Sequence, residues 1–474
     1  MTSVVSPTAT TKPPSSAGLK EMDLLDVCEV VIKRATKKGA SQAECYAEHV
    51  TATSVSLEQN ELKGASVAEH EAFGIRVFVG APGQRRMGFS YVNRKDGASL
   101  DEAIDDALAI ARASSPDEAN ELVDPLPVRP IGGLYDPRLA ALTTTDAVGL
   151  AQQLLESARK KDKRVSVDSG TVSASHGETA IATTRGVRAF DVDAGVTWGL
   201  FGMAVDPKAK EGEQVGSFDH VYDAARSFDD IKVDVAGARF ASQVLALLKA
   251  RKGQSFSGPA LFSPDAFEEI FLGALISGID GDTVLKGKSR LKDKLGQRIA
   301  STGFSVVDDG TLSGGLGSAS FDREGLPHRR TVLVGDGILH HFLYDGKTAK
   351  RAKKRPTGHA QGAARSIPGI GTTNITVGPG DRSDDELLRE LGNGLLIGRF
   401  SGNVDEVSGD FSGVAKGSFL VKNGKKTAAV QETLIAGNVY ELFNKLIARG
   451  STLHRNMTTE CPYVLVDGVT VTAG

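Results

Sequence analysis

Phe73-Gly-Ile-Arg-Val-Phe-Val79 and Arg86-Met-Gly-Phe-Ser-Tyr-Val92 are two short runs rich in β-branched and aromatic residues. Their composition predicts two β-strands. A helix is expected before them, because apolar residues recur at helical spacing over residues 24–35. A second helix is expected after them, because Ser99-Leu-Asp-Glu102 has the pattern of a capping box. Strands flanked by helices in this way indicate an α+β fold.

The same alternation continues along the chain. Helices are expected over residues 146–160 and 235–248, and a long β region over residues 165–205. Trp198, the only tryptophan, falls in that region and is expected to be a packed sheet residue. Residues 249–258 are polar and contain Gly and Ser, so the main domain boundary is expected there.

The second half is expected to be mostly β. Three dipeptides typical of hairpin turns lie between alternating apolar runs: Asp336-Gly337, Asn423-Gly424 and Asp467-Gly468. Three helix starts are expected from capping residues: Ser263 before Pro264, Ser383-Asp-Asp-Glu386 and Asn438-Val-Tyr-Glu441. The predicted architecture is two α+β domains with antiparallel sheets and flanking helices. They cover residues 21–250 and 251–474 and follow a disordered tail over residues 1–20.

The composition narrows the classes of function. The chain has 474 residues, and 56 Lys and Arg balance 59 Asp and Glu. A net charge of −3 makes nucleic acid an unlikely main partner on composition alone, and no apolar stretch is long enough for a membrane span. The three cysteines, Cys28, Cys45 and Cys461, have no CxxC spacing, which is typical of a reducing compartment. A cytoplasmic protein is expected.

No familiar catalytic motif is present in the sequence. The nine histidines do not form a zinc-binding helix motif, and the consecutive His340 and His341 would point to opposite faces of a strand. The sequence also lacks a GxSxG elbow between strand and helix and a GxxxxGK[ST] phosphate loop. We therefore predict no catalytic residue and no metal ligand in this chain.

Two stretches are candidates for binding. Residues 347–355 are rich in Lys and Arg but lack interleaved aromatic residues for base stacking. They predict either a solvated loop or a contact with an anionic partner, with Lys353, Lys354 and Arg355 as the contact residues.

The other candidate is Glu406-Val-Ser-Gly-Asp-Phe-Ser-Gly413, which lies between apolar strands. Its small residues allow another backbone to approach a sheet closely, and an exposed edge could add an extended peptide as a new strand. A tight turn or bulge explains the pattern equally well. The candidate peptide-binding residues are Glu406, Ser408, Gly409, Asp410, Phe411 and Ser412.

Four motifs occur in series: Ser289-Arg-Leu-Lys-Asp-Lys-Leu-Gly296, Phe321-Asp-Arg-Glu-Gly325, Val407-Ser-Gly-Asp-Phe-Ser412 and Glu432-Thr-Leu-Ile-Ala-Gly-Asn438. This series resembles the TldD/PmbA family over nearly the whole chain. The resemblance implies an intracellular metalloprotease complex that degrades unfolded peptides and pairs two similar subunits, TldD and TldE (PmbA). The TldD-type subunit carries a His-Glu-x-x-x-His helix and a later Cys that bind zinc.

This sequence departs from that zinc-binding pattern. When Gly281-Asp282 is aligned with the Gly-Asp that ends the family motif, Leu272 and Ser277 replace the histidines and Gly273 replaces the glutamate. Cys461 lies near the position of the ligand Cys, but in a different context. The resemblance therefore implies a non-catalytic TldE/PmbA-type subunit without a cofactor of its own. Zinc is expected in a TldD-type partner, with which this chain would form a heterodimer.

The expected function is to hold extended, unfolded peptides by backbone pairing beside the partner's zinc. The isolated chain could also form a homodimer. Two alternatives stay open: a self-sufficient peptidase, and a regulator that contacts nucleic acid or gyrase through the basic run over residues 347–355.

Overall fold

The computed structural model describes residue 19, residues 22–431 and residues 433–473. The tail expected over residues 1–20 lies outside the described residues, apart from Leu19. Helices and strands alternate in the first half, and strands dominate the second half, which confirms the predicted α+β fold class. In the described part of the chain, no helix is long and apolar enough to cross a membrane.

The first half builds one sheet with helices on one face. Its elements are α1 (Leu24–Lys37), β1 (Gln42–Glu58), β2 (Glu61–Val79), β3 (Arg86–Val92), α2 (Gly97–Ala113), α3 (Pro137–Ala140), α4 (Thr144–Lys160), β4 (Val165–Thr183), β5 (Arg188–Val205), β6 (Gly216–Ala225) and α5 (Val233–Ala246). The sheet is antiparallel throughout, in the order β3-β2-β1-β4-β5-β6. Buried apolar residues pack α1 and α2 over one end of the sheet and α4 and α5 over the other.

Most first-half predictions are confirmed. The two runs that open the sequence analysis form the end of β2 and the whole of β3, and Trp198 is buried on β5. The predicted capping box is wrong, because α2 begins at Gly97 and its N-cap is Asp96. The Asp96 carboxylate accepts hydrogen bonds from the Ser99 amide and hydroxyl, so the Ser99 hydroxyl is already engaged as a donor.

The second half continues with β7 (Arg251–Lys252), β8 (Phe256–Phe262), α6 (Pro264–Phe267), a π-helical turn (Glu268–Leu272), α7 (Gly273–Ile279), α8 (Gly281–Leu285), β9 (Val306–Asp309), β10 (Arg330–Gly335), β11 (Ile338–Leu339), α9 (Gly346–Ala352), β12 (Ala360–Gln361), β13 (Gly369–Ile370), β14 (Ile375–Val377), α10 (Asp384–Leu391), β15 (Gly394–Ile397), β16 (Arg399–Val404), β17 (Asp410–Lys416), β18 (Phe419–Lys422), β19 (Lys425–Gln431), β20 (Thr433–Asn438), α11 (Val439–Leu442), β21 (Leu446–Arg449), β22 (His454–Asn456), β23 (Thr459–Cys461) and β24 (Val464–Ala473). The division into two domains stays a prediction.

Two larger sheets organise this half. One has the order β11-β10-β9-β14-β23-β22, and the other the order β16-β17-β20-β24-β8-β15-β18-β19-β7 with β21 beside β24. Most neighbours are antiparallel, but β8–β15, β7–β19 and β14–β23 are parallel. The sheets pack around the helices that follow Ser263, which is the predicted N-cap of α6.

Two of the three predicted hairpin turns are confirmed. Asp336-Gly337 joins β10 to β11, and Asn423-Gly424 joins β18 to β19. Asp467-Gly468 was expected to turn the chain, but it lies inside β24. The register of β24 against β8 shifts between Val466 and Val469, so a bulge accommodates the positive φ of Gly468 within a continuous strand.

A buried ionic cluster joins the two halves. Arg76 of β2 pairs with Glu44 of β1 and, at 3.1 Å, with Glu324 of the second half. Arg323 pairs with Glu44 at 2.9 Å and lies 4.0 Å from the centre of the Tyr46 ring. The four charged side chains are almost completely buried, so each depends on its partners for charge compensation. We call Glu44, Arg76, Arg323 and Glu324 the junction cluster.

Candidate peptide-binding surface

The predicted peptide-binding segment forms the tip of the β16–β17 hairpin. Glu406, Ser408 and Gly409 lie in the connection, and Asp410 begins β17. The Asp405 carboxylate accepts hydrogen bonds from the Val407 and Ser408 amides at 2.9 and 2.8 Å, which fixes the turn.

Side chains from elsewhere hold this tip. Arg290 donates to the Ser408 carbonyl at 2.6 Å, and the Tyr440 hydroxyl donates to the Glu406 carbonyl at 3.0 Å. Gly409 has φ +80°, and a Cβ there would lie 2.4 Å from the Tyr440 ring, so the turn requires glycine. These contacts fix the conformation of the tip, which leaves the Val407 side chain exposed to solvent.

The open edge of the sheet belongs to β16. Phe411 and Ser412 lie in β17, which pairs with β16 on one side and with β20 on the other. In the described part of the chain, β16 has a neighbour only on its β17 side. The sequence analysis assigned the candidate sheet edge to residues 406–413, which lead into β17. In the structure the edge strand is the preceding one, β16. The alternating run from Arg399 to Val404 was the available signal.

The edge of β16 offers backbone groups at alternate residues. The Phe400 amide donates to the Glu269 carboxylate at 2.6 Å, so it faces away from β17. Because an antiparallel strand alternates inward and outward pairs, the amides of Gly402 and Val404 face the same way. Gly402 is exposed, and a Cβ built there would lie 2.4 Å from the Gly413 Cα, so this glycine allows the close approach of β17.

A cleft of about 530 Å³ lies beside this edge, between the two halves of the chain. Arg399 at the start of β16 pairs with Asp219 of β6 at 2.8 Å and contacts the His220 ring nitrogen at 3.1 Å. Burial and the Arg399 charge lower the pKa of His220, so the neutral ring is favoured.

The carboxyl groups of the cleft are only partly compensated. Burial raises the pKa of Asp265, and the nearby Arg399, Arg239 and His220 do not offset it. Burial also raises the pKa of Glu269, although the Phe400 amide donates to its carboxylate. These groups hold protons at higher pH than ordinary carboxyls do.

The helix aligned with the zinc motif carries apolar and small residues. Leu272 ends the π-helical turn and is buried, while Gly273 and Ser277 lie in α7. Cys461 is buried, and burial together with Glu268 and Asp265 raises the pKa of its thiol. Among the described residues, no group of three or more His, Cys, Asp or Glu side chains is arranged to hold a metal ion.

The basic run is partly neutralised within the chain. On α9, Lys347 and Arg351 pair with Asp117, and Lys350 pairs with Glu121. The predicted anion contacts Lys353, Lys354 and Arg355 follow α9 and are exposed. Three of the six basic residues of the run therefore form ion pairs between the two halves of the chain. The prediction of an anion contact rests on the other three.

Three side chains, those of Thr357, His359 and Asp308, are arranged like the nucleophile, base and carboxylate of a catalytic triad. The Thr357 hydroxyl lies 2.9 Å from His359 Nδ1, and His359 Nε2 lies 2.9 Å from Asp308. The hydroxyl also donates to the Tyr344 carbonyl and accepts from the Tyr344 amide. His359 and Asp308 are almost fully buried, so this geometry fits a structural link between loops.

Three family descriptions match the chain in order: PmbA/TldA metallopeptidase domain 1 over residues 43–111, the central domain over 137–248 and the C-terminal domain over 255–473. The chain therefore belongs to the PmbA/TldD family of metallopeptidases.

Individual relatives cover nearly the whole chain. The metalloprotease PmbA of Escherichia coli O157:H7 is 27% identical over 433 residues, which are 90% of each chain. A metalloprotease TldD homolog of Haemophilus influenzae is 26% identical over 444 residues, 91% of this chain and 89% of its own. The crystal structure of TldE from Thermococcus kodakarensis superposes with a TM-score of 0.84 at 23% identity, covering 94% of this chain and 100% of that chain. The sequence identities to the PmbA and TldD relatives are nearly equal, so overall identity does not show which of the two subunit types this chain resembles more.

Proposed function

We propose that this chain is the non-catalytic, TldE/PmbA-type subunit of a metalloprotease complex that processes unfolded peptides. The proposal rests on the residues of the helix that aligns with the zinc-binding motif of the family. Leu272, Gly273 and Ser277 offer an aliphatic chain, no side chain and a hydroxyl where zinc requires imidazoles. The zinc and the hydrolytic water would come from a TldD-type partner in a cytoplasmic heterodimer.

The role of this chain would be to hold the substrate in an extended form. The outward amides of Gly402 and Val404 can bond to a peptide backbone. Recognition through backbone groups is nearly independent of sequence. It requires an unpaired strand in the substrate, so folded proteins would be excluded. The hairpin tip from Glu406 to Ser412 would flank the bound peptide.

The test compares two substitutions at one edge position, in the complex reconstituted with a TldD-type subunit. Val404→Pro removes the outward amide N–H and replaces the valine side chain, whereas Val404→Ala keeps the N–H and removes most of the side chain. We expect the proline variant to raise KM for an unfolded peptide roughly 2- to 10-fold, the equivalent of one hydrogen bond, with kcat retained. The alanine variant should stay near the parent. Equal KM values for both variants would contradict pairing at β16.

A further inference from the structure

Three cations from three separate segments converge on one carboxylate where the two halves of the chain meet. Arg85 precedes β3, Arg185 lies in the turn between β4 and β5, and Lys350 lies in α9. Arg85 Nη1 and Arg185 Nη1 lie 3.3 and 3.0 Å from Glu121 Oε1, and the Lys350 ammonium pairs with the other carboxylate oxygen. One negative charge therefore faces three positive charges. We call Arg85, Arg185 and Lys350 the cation cluster.

The neighbouring ion pairs do not remove this excess of positive charge. Asp124 pairs with Arg185, and Asp117 pairs with Lys347 and Arg351 of α9. Counted over the ion pairs of the described residues, five cations in this region share three carboxylates. The two positive charges left over match the charge of one dianion.

Arg85 gives a second, independent indication of a ligand. Its side chain is only 8% exposed, yet Nε and Nη1 have no hydrogen-bond partner among the described residues. Nη1 is near Glu121 but is not aligned for a hydrogen bond. The residue is held firmly, because its carbonyl accepts hydrogen bonds at 3.0 Å from the Asp117 amide and from Asn120 Nδ2. Buried donors without acceptors are rare and unfavourable, so this guanidinium is suited to an added acceptor.

We propose that the cation cluster binds a phosphoryl dianion, either free phosphate or a phosphomonoester. The planar fork of an arginine matches two phosphate oxygens, and a lysine ammonium adds a point charge. The side chains of Arg185 and Lys350 are 29% and 39% exposed, so the ligand can enter between them from solvent. The exposed basic residues 353–355 follow α9 directly and would attract anions to this region. This inference is independent of the proposed function, because it uses no residue of the cleft, of β16 or of the helix aligned with the zinc motif.

Phosphorus NMR titrations of the purified chain test the site, at pH 8 and at an ionic strength kept constant with chloride. A phosphomonoester is a dianion there, because its second pKa is about 6. We expect saturable binding of inorganic phosphate and methyl phosphate, and the tighter of the two shows whether the site prefers the free or the esterified form. Arg85→Met and Lys350→Met should each raise the dissociation constant at least about 10-fold, the equivalent of one charge-assisted hydrogen bond. Lys63→Met removes one positive charge from the exposed start of β2 and should bind like the parent.

A fourth variant should change binding in the opposite direction. Glu121→Gln keeps the shape of the side chain but removes the negative charge that competes with the ligand. Phosphate should therefore bind about 5-fold more tightly than to the parent, which is the repulsion expected between neighbouring charges in water. Circular dichroism shows that each variant is folded, and if Arg85→Met does not fold, Lys350→Met and Glu121→Gln decide the test. No saturable binding by the parent, equal dissociation constants for the parent and Lys350→Met, or weaker binding by Glu121→Gln would overturn the proposal.

Discussion

Glu44 of the junction cluster and Asp265 of the cleft respond to burial in opposite ways. Burial alone would raise the pKa of Glu44, but Arg76 and Arg323 outweigh it and the pKa is lowered. In the cleft, burial prevails and the pKa of Asp265 is raised. Glu44 is thus well compensated by its two arginines and suited to fix the two halves, although burial raises the pKa of Glu324 in the same cluster. The cleft keeps incompletely compensated charge beside an open strand.

The largest effect is expected at the junction cluster. Arg323→Met removes one of the two cations that compensate Glu44 and leaves a buried carboxylate poorly paired. We expect the free energy of unfolding, measured in urea, to fall by about 3–5 kcal/mol. Lys63→Met is the control, because it removes an exposed pair with Glu58 and should leave the free energy of unfolding nearly unchanged. Equal losses would remove the contrast between buried and exposed charge.

The same variant should change the response to acid. Because the folded-state pKa of Glu44 is lowered, its stabilisation is present above its unfolded pKa of about 4.3. This stabilisation is lost as pH falls through the folded value. Without Arg323 the folded pKa rises, so the acid-unfolding midpoint should move to higher pH. Circular dichroism across an acid titration measures this midpoint, and an unchanged midpoint would argue against the assigned role of Glu44.

A moderate effect is expected at the hairpin tip. Gly409→Ala forces a side chain into a left-handed backbone position and against Tyr440, so the fold should lose about 1–3 kcal/mol. Gly273→Ala is the control with the opposite sign. Nothing lies within 4 Å of a Cβ built there, and alanine favours helix by up to about 1 kcal/mol. A neutral Gly409→Ala variant would show that the tip is not fixed as described.

The smallest effect is expected in the cleft, with reversed sign. At pH 8 the Asp265 carboxyl is charged at a cost, because its folded pKa is raised. Asp265→Asn should therefore be more stable than the parent at pH 8, by less than the Arg323→Met variant loses. The gain should shrink as pH falls through the raised folded pKa of the parent carboxyl. A loss of stability at pH 8 would mean that Asp265 is compensated after all.

Local patterns predicted the elements better than their pairing. Alternation and turn residues located β3 and the hairpin turn at Asn423-Gly424, because both depend on near neighbours. Asp467-Gly468 has the same turn chemistry, but long-range pairing of β24 with β8 keeps the strand continuous. The cleft was not predictable, because Asp219 and Arg399 are 180 positions apart in the sequence and meet only when the two halves dock.

The candidate segment illustrates the same limit. The Gly and Ser content of residues 406–413 indicated a backbone approach or a turn, and the structure has a turn there. Which strand forms the sheet edge depends on the order of the strands, and no run of a few residues encodes that order. The basic run was likewise visible in sequence, but its pairing with Asp117 and Glu121 was not.

The most direct test of the central claim is to measure zinc content and peptide cleavage for the purified chain alone and again with a TldD-type subunit. We expect no bound zinc and no cleavage of an unfolded peptide by the isolated chain. Cleavage should appear with the partner and be lost when a chelator is added. One equivalent of zinc in the isolated chain, together with chelator-sensitive cleavage, would contradict the assignment as a non-catalytic subunit.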